Sequence, residues 1–252
     1  MKSVYVSKTI KYRMQNKTVK INDRWIVYDP ELMPQPEAEL FCCEILDEKG
    51  LVTGRAEGRG ETCFYRQRNK QWALRHYLRG GLVGKVLHDQ YFGLRLKKTR
   101  AWQEWHLLNE MQSMGLPVPR PVAASVIKNG LFYRADLITE YLENTKTLSD
   151  LLESNQLDDA QWEKIGVLVK RFHVASVYHS DLNARNILID EQQEVYLIDF
   201  DKCCFRAGDE WKNKNLDRLK RSLLKFKSKN DNFNFSESSW GVFMTGYDSF
   251  RG

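Results

Sequence analysis

In HSDLNARNILIDEQQEVYLIDF, residues 179 to 200, His179 stands two residues before Asp181, Asn186 follows five after that acid, and Asp199 closes a second apolar run. The chemistry that these residue types and spacings support is phosphoryl transfer. One carboxylate orients an attacking hydroxyl and accepts its proton, while an amide oxygen and a second carboxylate hold Mg²⁺ against nucleotide phosphates. Asp181 is the candidate catalytic base, and Asn186 and Asp199 are the candidate metal ligands. The apolar segments ILID and EVYLIDF flank the turn EQQ, so a hairpin is predicted that brings Asn186 and Asp199 towards one ion. Either acid alone has an ordinary explanation, as a turn cap or a strand end. The two in register, after a long helix, point to chemistry.

Such a site makes demands upstream. A nucleotide needs a turn whose backbone can approach phosphate, and GRAEGRGETCFY supplies Gly58 and Gly60 after Gly54. Cys63 stands where G-x-G-x-x-G would place its third glycine, so this signal is weak alone. A cation is expected on a following strand, in the place of the lysine of V-A-I-K, and WALR puts Arg75 there. Arginine is a planar, obligate cation with a different reach, so its phosphate contact cannot be copied from lysine. Glu104 is the acid placed to pair with it from the next helix, with Glu110 a weaker substitute. Gly58, Gly60, Arg75 and Glu104 are thus the candidate nucleotide-binding residues.

The elements that must position these groups fall into two halves. TVKINDRWIVYD is strand-like, and ETCFYRQRNKQWALRHYL reads as two strands joined by a polar turn around Asn69 and Lys70. QPEAELFCCEILDEKG between them suits a short helix closed by Gly50. TRAWQEWHLLNEMQSMG has helical spacing, with Trp102, Trp105 and Leu108 on one stripe and Gly115 as the stop. LPVPRPV is an extended connector, because each proline fixes its own φ and restricts its predecessor. GLFYRADLITEYL is a strand or hairpin. Thereafter TLSDLLES, LDDAQWEKIGVLVKRFHVASVY and EWKNKNLDRLKRSLLKFKSKN read as helices, the last with Leu216, Leu219 and Leu223 on its apolar stripe. The change of character near residue 142 predicts an α+β fold of two lobes, 1–142 rich in strands and 143–252 mainly helical.

The 252 residues are 42% hydrophobic and 12% aromatic, which excludes global disorder and supports a sizeable core. Lys and Arg exceed Asp and Glu by 39 to 33, and this net +6 favours an anionic partner. Five cysteines in two adjacent pairs plus one, without C-x-x-C, argue for reduced thiols rather than a disulfide framework or zinc site. The first thirty residues lack a continuous apolar core, so no signal peptide is expected, and no run of apolar residues is long enough to span a membrane.

The chain resembles the 3-deoxy-D-manno-octulosonic acid (Kdo) kinases of Gram-negative bacteria, in the lipopolysaccharide kinase group. The resemblance rests on GRG at 58–60, LRHYLRGGLVGKV at 74–86, GLPVPRPVAA at 115–124, HSDLNARNIL at 179–188, LIDFDKC at 197–203 and NLDRLKRSLLKF at 215–226. It covers most of the chain from about residue 58 onward. It implies a bilobal protein-kinase-like fold and transfer of the ATP γ-phosphate, with Mg²⁺, to the 4-hydroxyl of Kdo on Kdo-lipid A. It also implies a peripheral place on the cytoplasmic face of the inner membrane, where Lys and Arg clusters suit an anionic glycolipid; no nucleic acid is expected. Asn183 stands where protein kinases carry a lysine, and no A-P-E follows DFD. Both departures disfavour a protein kinase with a large peptide-docking lobe, and an atypical, RIO-like kinase is the alternative within enzymes. DLNARN keeps Asn186, which favours Kdo over heptose as the acceptor. Arg75 and the incomplete glycine turn leave a nucleotide-binding pseudokinase module as the reading from another class. In RHYLRGGLVGKVLHDQYFGL, Arg79, Gly80 and Gly81 suit an anion-binding turn.

Overall fold

The computed structural model describes residues 16–56, 62–77, 91–92, 95–130, 132–154 and 156–251. The glycine turn with Gly58 and Gly60, and the Arg79–Gly81 segment, lie outside the described residues.

One antiparallel sheet dominates the first half. Its strands are β1 (Lys17–Ile21), β2 (Arg24–Tyr28), β3 (Val52–Ala56), β4 (Thr62–Gln67), β5 (Lys70–His76), β6 (Tyr91–Phe92), β7 (Pro121–Asn129) and β8 (Phe132–Glu140). They run in the order β1-β2-β7-β8-β5-β4-β3, with β6 also paired to β8. The β4–β5 turn is one residue earlier than its polarity suggests. Arg68 and Asn69 both take positive φ, 49° and 60°, and Lys70 already belongs to β5. Two consecutive left-handed residues match the twist of the flanking strands, which makes this two-residue turn a hairpin closure. The helix expected over residues 35–50 is divided into a single 3₁₀ turn, Ala38–Phe41, and α1 (Cys43–Glu48), with Gly50 at φ 65° ending it. β7, which includes the end of the proline-rich connector, is a full strand; Pro121 opens it, where a missing N–H costs least.

Strand alternation splits the core into two layers. On β5, Trp72 and Leu74 face a cluster with Leu40, Phe41 and Leu46 under α1. Ala73 and Arg75, of opposite parity, line a cleft on the other side. That second face carries α2 (Arg100–Ser113), whose Trp102, Trp105, Leu108 and Met111 are buried against Ala124, Val126 and Leu137. Gly115, at φ 70°, stops the helix as its position suggests.

The same cluster continues without a break into the helical half. There follow β9 (Thr145–Thr147), α3 (Leu148–Ser154), α4 (Asp159–Val174), β10 (Val177–Tyr178), β11 (Ile187–Asp190), β12 (Val195–Leu197), β13 (Cys204–Phe205), α5 (Glu210–Lys227) and α6 (Glu237–Ser249). Asp158 and Gln161 close a capping box at the start of α4. α6 has no counterpart among the predicted elements. It packs on α4 through Gly166 and Gly246: a Cβ on Gly166 would lie 2.1 Å from the Phe243 carbonyl oxygen, and one on Gly246 2.2 Å from that of Glu163. Backbones this close admit no side chain. Among the described residues, no helix is long and apolar enough to cross a membrane.

Candidate active site

Between the sheet and the helical half lies a cleft of about 1560 Å³, and Arg75, Glu104, Asp181, Asn186 and Asp199 all line it. The hairpin β11–β12 does what its sequence suggests. Ile187 pairs with Leu197, and Ile198 donates its N–H to the Asn186 carbonyl at 2.9 Å, so Asn186 and the residue before Asp199 are joined through the backbone.

The turn before β11 is wound around Asp181. Its carbonyl accepts from the side-chain amides of both Asn183 and Asn186 at 2.9 Å. With its nitrogen committed, the Asn186 amide keeps its oxygen as an acceptor. The Asp181 N–H donates to His179 Nδ1 at 3.2 Å, and the other ring nitrogen of His179 lies 3.0 Å from the Ile198 carbonyl oxygen. Those two contacts fix the tautomer with the proton on Nε2. Burial pushes the pKa of His179 down, which keeps this bridging ring neutral. Asn215, from α5, accepts from the His179 N–H and donates to its carbonyl. Thus His179 is a strut between the Asp181 turn and the Asp199 turn. The Asp181 carboxylate is mostly exposed and meets Arg218 of α5 at 3.0 Å.

Asp199 sits at φ 63°, a left-handed conformation that Asp tolerates better than most residues. Its carboxylate pairs with Arg75. The same guanidinium pairs with Glu104 and donates to the Tyr77 hydroxyl at 2.9 Å, while Tyr77 donates to Glu104 at 2.5 Å. The Tyr77 ring lies 4.8 Å from the Arg75 guanidinium and 5.3 Å from that of Arg100. Arg100 in turn binds Asp201, with Nε 2.6 Å from Oδ1. Burial pushes the Glu104 carboxyl above its ordinary pKa, against the pull of Arg75. Burial also opposes the Arg75 charge, yet Glu104, Tyr77 and Asp199 together hold it well above its ordinary value. The buried acid therefore depends on its cation and its hydrogen bonds.

Of the residues singled out from sequence, five meet in this cleft, and Gly58 and Gly60 fall outside the described residues. Glu110 is exposed at the far end of α2 and is no substitute for Glu104. Lys70, the cation at the start of β5, is bound to Glu140 at 3.3 Å. Tyr77 and Arg218 were not foreseen. Tyr77 stands two residues beyond Arg75 on the same strand face, a parity that could have drawn attention to it. Arg218 lies off the Leu216, Leu219 and Leu223 stripe, among the basic residues of the same helix.

Among the described residues there is no group of three or more His, Cys, Asp or Glu able to hold an ion. An Asn oxygen and one carboxylate, 42% exposed to the cleft, are a partial set of hard ligands. Such a set suits Mg²⁺ when phosphate and water oxygens complete its shell.

Comparison with known proteins agrees with this geometry. The family described as "Lipopolysaccharide kinase (Kdo/WaaP) family" matches residues 44–247. A 3-deoxy-D-manno-octulosonic acid kinase of Photobacterium profundum is 44% identical over 223 residues, 88% of this chain and 94% of its own. One from Vibrio cholerae is 46% identical over 200 residues, 79% of this chain and 84% of its own. One from Haemophilus influenzae is 39% identical over 236 residues, 90% of this chain and 97% of its own. The polar turns, the hairpin between them and the buried cation–acid pair lie within the matched span, and the chain belongs to the lipopolysaccharide kinase (Kdo/WaaP) family.

Proposed function

We propose that this chain is an ATP-dependent kinase that phosphorylates Kdo in lipopolysaccharide core biosynthesis, at the 4-hydroxyl of the Kdo residue on Kdo-lipid A. The observation that carries this is the joining of Asp181, Asn186 and Asp199 in one cleft with Arg75, in a chain whose relatives are named Kdo kinases. The strand-rich residues 1–142 and the helical residues 143–252 act as two lobes of one catalytic domain in the protein-kinase manner, with the nucleotide between them.

Each role follows from position. Ala73, two residues before Arg75, and Leu188, two after Asn186, give the cleft an apolar patch suited to adenine. Arg75, held by Glu104 and Tyr77, faces the α- and β-phosphates, for which Gly58 and Gly60 are candidate contacts from their sequence alone. Asn186 and Asp199 would hold Mg²⁺, which when bound neutralises phosphate charge. Asp181 aligns the sugar hydroxyl and accepts its proton as the γ-phosphate is transferred. Its exposure leaves the carboxylate within reach of an acceptor. The excess of cations suits a peripheral enzyme at the cytoplasmic face of the inner membrane, where anionic glycolipid is presented.

The test offers purified protein Mg-ATP with Kdo-lipid A or with lipid A lacking Kdo, and follows added phosphate by mass. Labelling of the Kdo lipid alone, at the 4-position, is expected. Equal labelling of both lipids would remove the Kdo assignment.

A further inference from the structure

α5 carries two distinct faces. Leu216, Leu219 and Leu223 are buried, and Arg218, Arg221 and Lys225 are exposed and line the cleft, followed by Lys229 just past the helix end. Steps of three, four and four residues keep these cations on one side. Elsewhere along α5, Lys212 pairs with Asp209, Lys220 pairs with Glu237 at 2.7 Å and Lys227 donates to the carbonyls of Asp231 and Phe233, while Lys214, outside the cleft, is a lone exposed base among the described residues. Only Arg218 of the cleft stripe has an acid, Asp181 itself. Among the described residues, Arg221, Lys225 and Lys229 form no ion pair. Arg185 stands on the same wall with its guanidinium 5.3 Å from the Phe226 ring centroid.

Like charges one turn apart repel, so an unpaired stripe costs stability and collects a positive field inside the cleft. The phosphates of the nucleotide have other partners, around Arg75 on the sheet side. We infer that the α5 stripe Arg218–Arg221–Lys225–Lys229, with Arg185, binds the phosphate groups of an anionic glycolipid headgroup and so sets the acceptor hydroxyl at Asp181. This rests on the proposed function, for it names the residues that recognise that acceptor. From Arg218 to Lys225 the helix rises roughly 10 Å, enough to engage phosphates beyond the reacting sugar.

The test uses Arg221→Gln/Lys225→Gln, two exposed positions whose replacement should leave the melting temperature near that of the parent. Steady-state kinetics are measured with Kdo-lipid A and with the same glycolipid freed of its lipid phosphates. The KM for the phosphorylated acceptor should rise roughly tenfold or more, as loss of charge-assisted hydrogen bonds requires. The KM for ATP should be unchanged, and the two acceptors should become alike. A rise in the KM for ATP alone, no rise at all, or an equal rise for both acceptors would overturn the inference. If the parent protein phosphorylates neither lipid, the proposed function fails. Equilibrium binding to phosphatidylcholine vesicles containing Kdo-lipid A or phosphatidylglycerol then decides. A loss confined to the Kdo-lipid A vesicles supports the stripe, while an equal loss on both, or none, overturns it.

Discussion

Phe200 donates its backbone N–H to Glu104 Oε1 at 3.1 Å, so helix α2 is tied directly to the turn that carries Asp199. The other oxygen of Glu104 takes the Arg75 guanidinium and the Tyr77 hydroxyl. One buried carboxylate thereby fixes a strand, a helix and the Asp199 turn relative to each other. Arg100 and Asp201 make a second tie a few residues away, and Ser180 donates to the Asp201 carbonyl at 2.7 Å. Cations and acids at this junction serve position first, and any contact with phosphate depends on that position being held.

Tyr77→Phe tests the tie. It removes a donor to Glu104 and an acceptor from Arg75 while keeping the ring between Arg75 and Arg100. The loss should be about 1–3 kcal/mol, because buried charged partners are left short of a bond. In a chain of this length each kcal/mol lowers the melting temperature by about 2–4 °C. Thermal unfolding should show that decrease, and the KM for ATP should rise with it. Unchanged melting would mean that the hydroxyl is dispensable to the clamp.

Arg75→Ala should be more severe than Arg75→Lys, and neither should equal the parent. Alanine leaves Glu104 buried without its cation, a cost of about 3 kcal/mol, at the low end for a buried pair because Arg75 keeps some contact with solvent. Lysine restores charge but cannot bridge Glu104, Asp199 and Tyr77 at once, since it lacks the planar fork. Melting temperature and ATP kinetics should rank the three proteins in that order. Full recovery by lysine would show that charge alone suffices.

Much of this site is legible in the residues, and the parts that are not have physical reasons. Asp181, Asn186 and Asp199 could be joined because two short apolar runs around a polar turn leave a hairpin as the simplest closure. Arg75 and Glu104 could be paired because WALR puts a cation in the place of the lysine of V-A-I-K and the next helix offers the acid that such a cation needs. Tyr77 was hidden because its parity with Arg75 does not by itself separate a hydrogen-bonding partner from an ordinary core aromatic. β7 was obscured by the prolines at and before its start, which mark an extended chain whether or not it pairs. α6 was missed because ESSWGVFMTGYDS holds two glycines and several small polar residues, a composition of low intrinsic helix propensity. Of the two, Gly246 serves helix packing against Glu163, which only the tertiary structure shows.

Gly166→Ala should expose that packing. The added methyl group would meet the carbonyl of Phe243 and the N–H of Tyr247, both backbone, so relief requires α4 and α6 to move apart. Overpacking of this kind costs about 1–3 kcal/mol, occasionally more, although alanine is the better helix former. Denaturant unfolding should show a lower midpoint, with the KM values of the folded protein little changed. A stabilised variant would mean that α6 is not held at this distance.

Stability should also fall with acidity. His173 is buried between the rings of Trp211 and Tyr247, and burial, with Lys212 nearby, pushes its pKa down to about 4. The unfolded chain binds the same proton near pH 6.5. This contribution is therefore complete above about pH 6.5 and is lost as the pH falls towards 4, amounting to about 3 kcal/mol at the lower limit. His179, also lowered by burial, acts in the same direction. Unfolding free energies measured from pH 7.5 down to 4.5 should decline, and His173→Gln should flatten the slope. An unaltered slope in that variant would assign the acid sensitivity elsewhere.

Asp199→Asn separates the metal from the fold better than alanine does. At φ 63° alanine would add strain of about 1 kcal/mol, whereas asparagine accepts the left-handed region readily. The amide still reaches Arg75 with its oxygen but no longer carries the charge that a divalent cation and a phosphate group require. Asp199→Asn should melt close to the parent and yet lose at least about a thousandfold in kcat, the scale on which preorganised charge contributes to such reactions. Asp181→Asn should lose transfer through a different step, because the hydroxyl proton has no acceptor while nucleotide and metal are still held. The two variants are distinguished by Mg²⁺-dependent ATP binding in a calorimeter, which should persist in Asp181→Asn and weaken in Asp199→Asn. Near-normal transfer by Asp199→Asn would displace this residue from the metal and leave it only as a partner of Arg75.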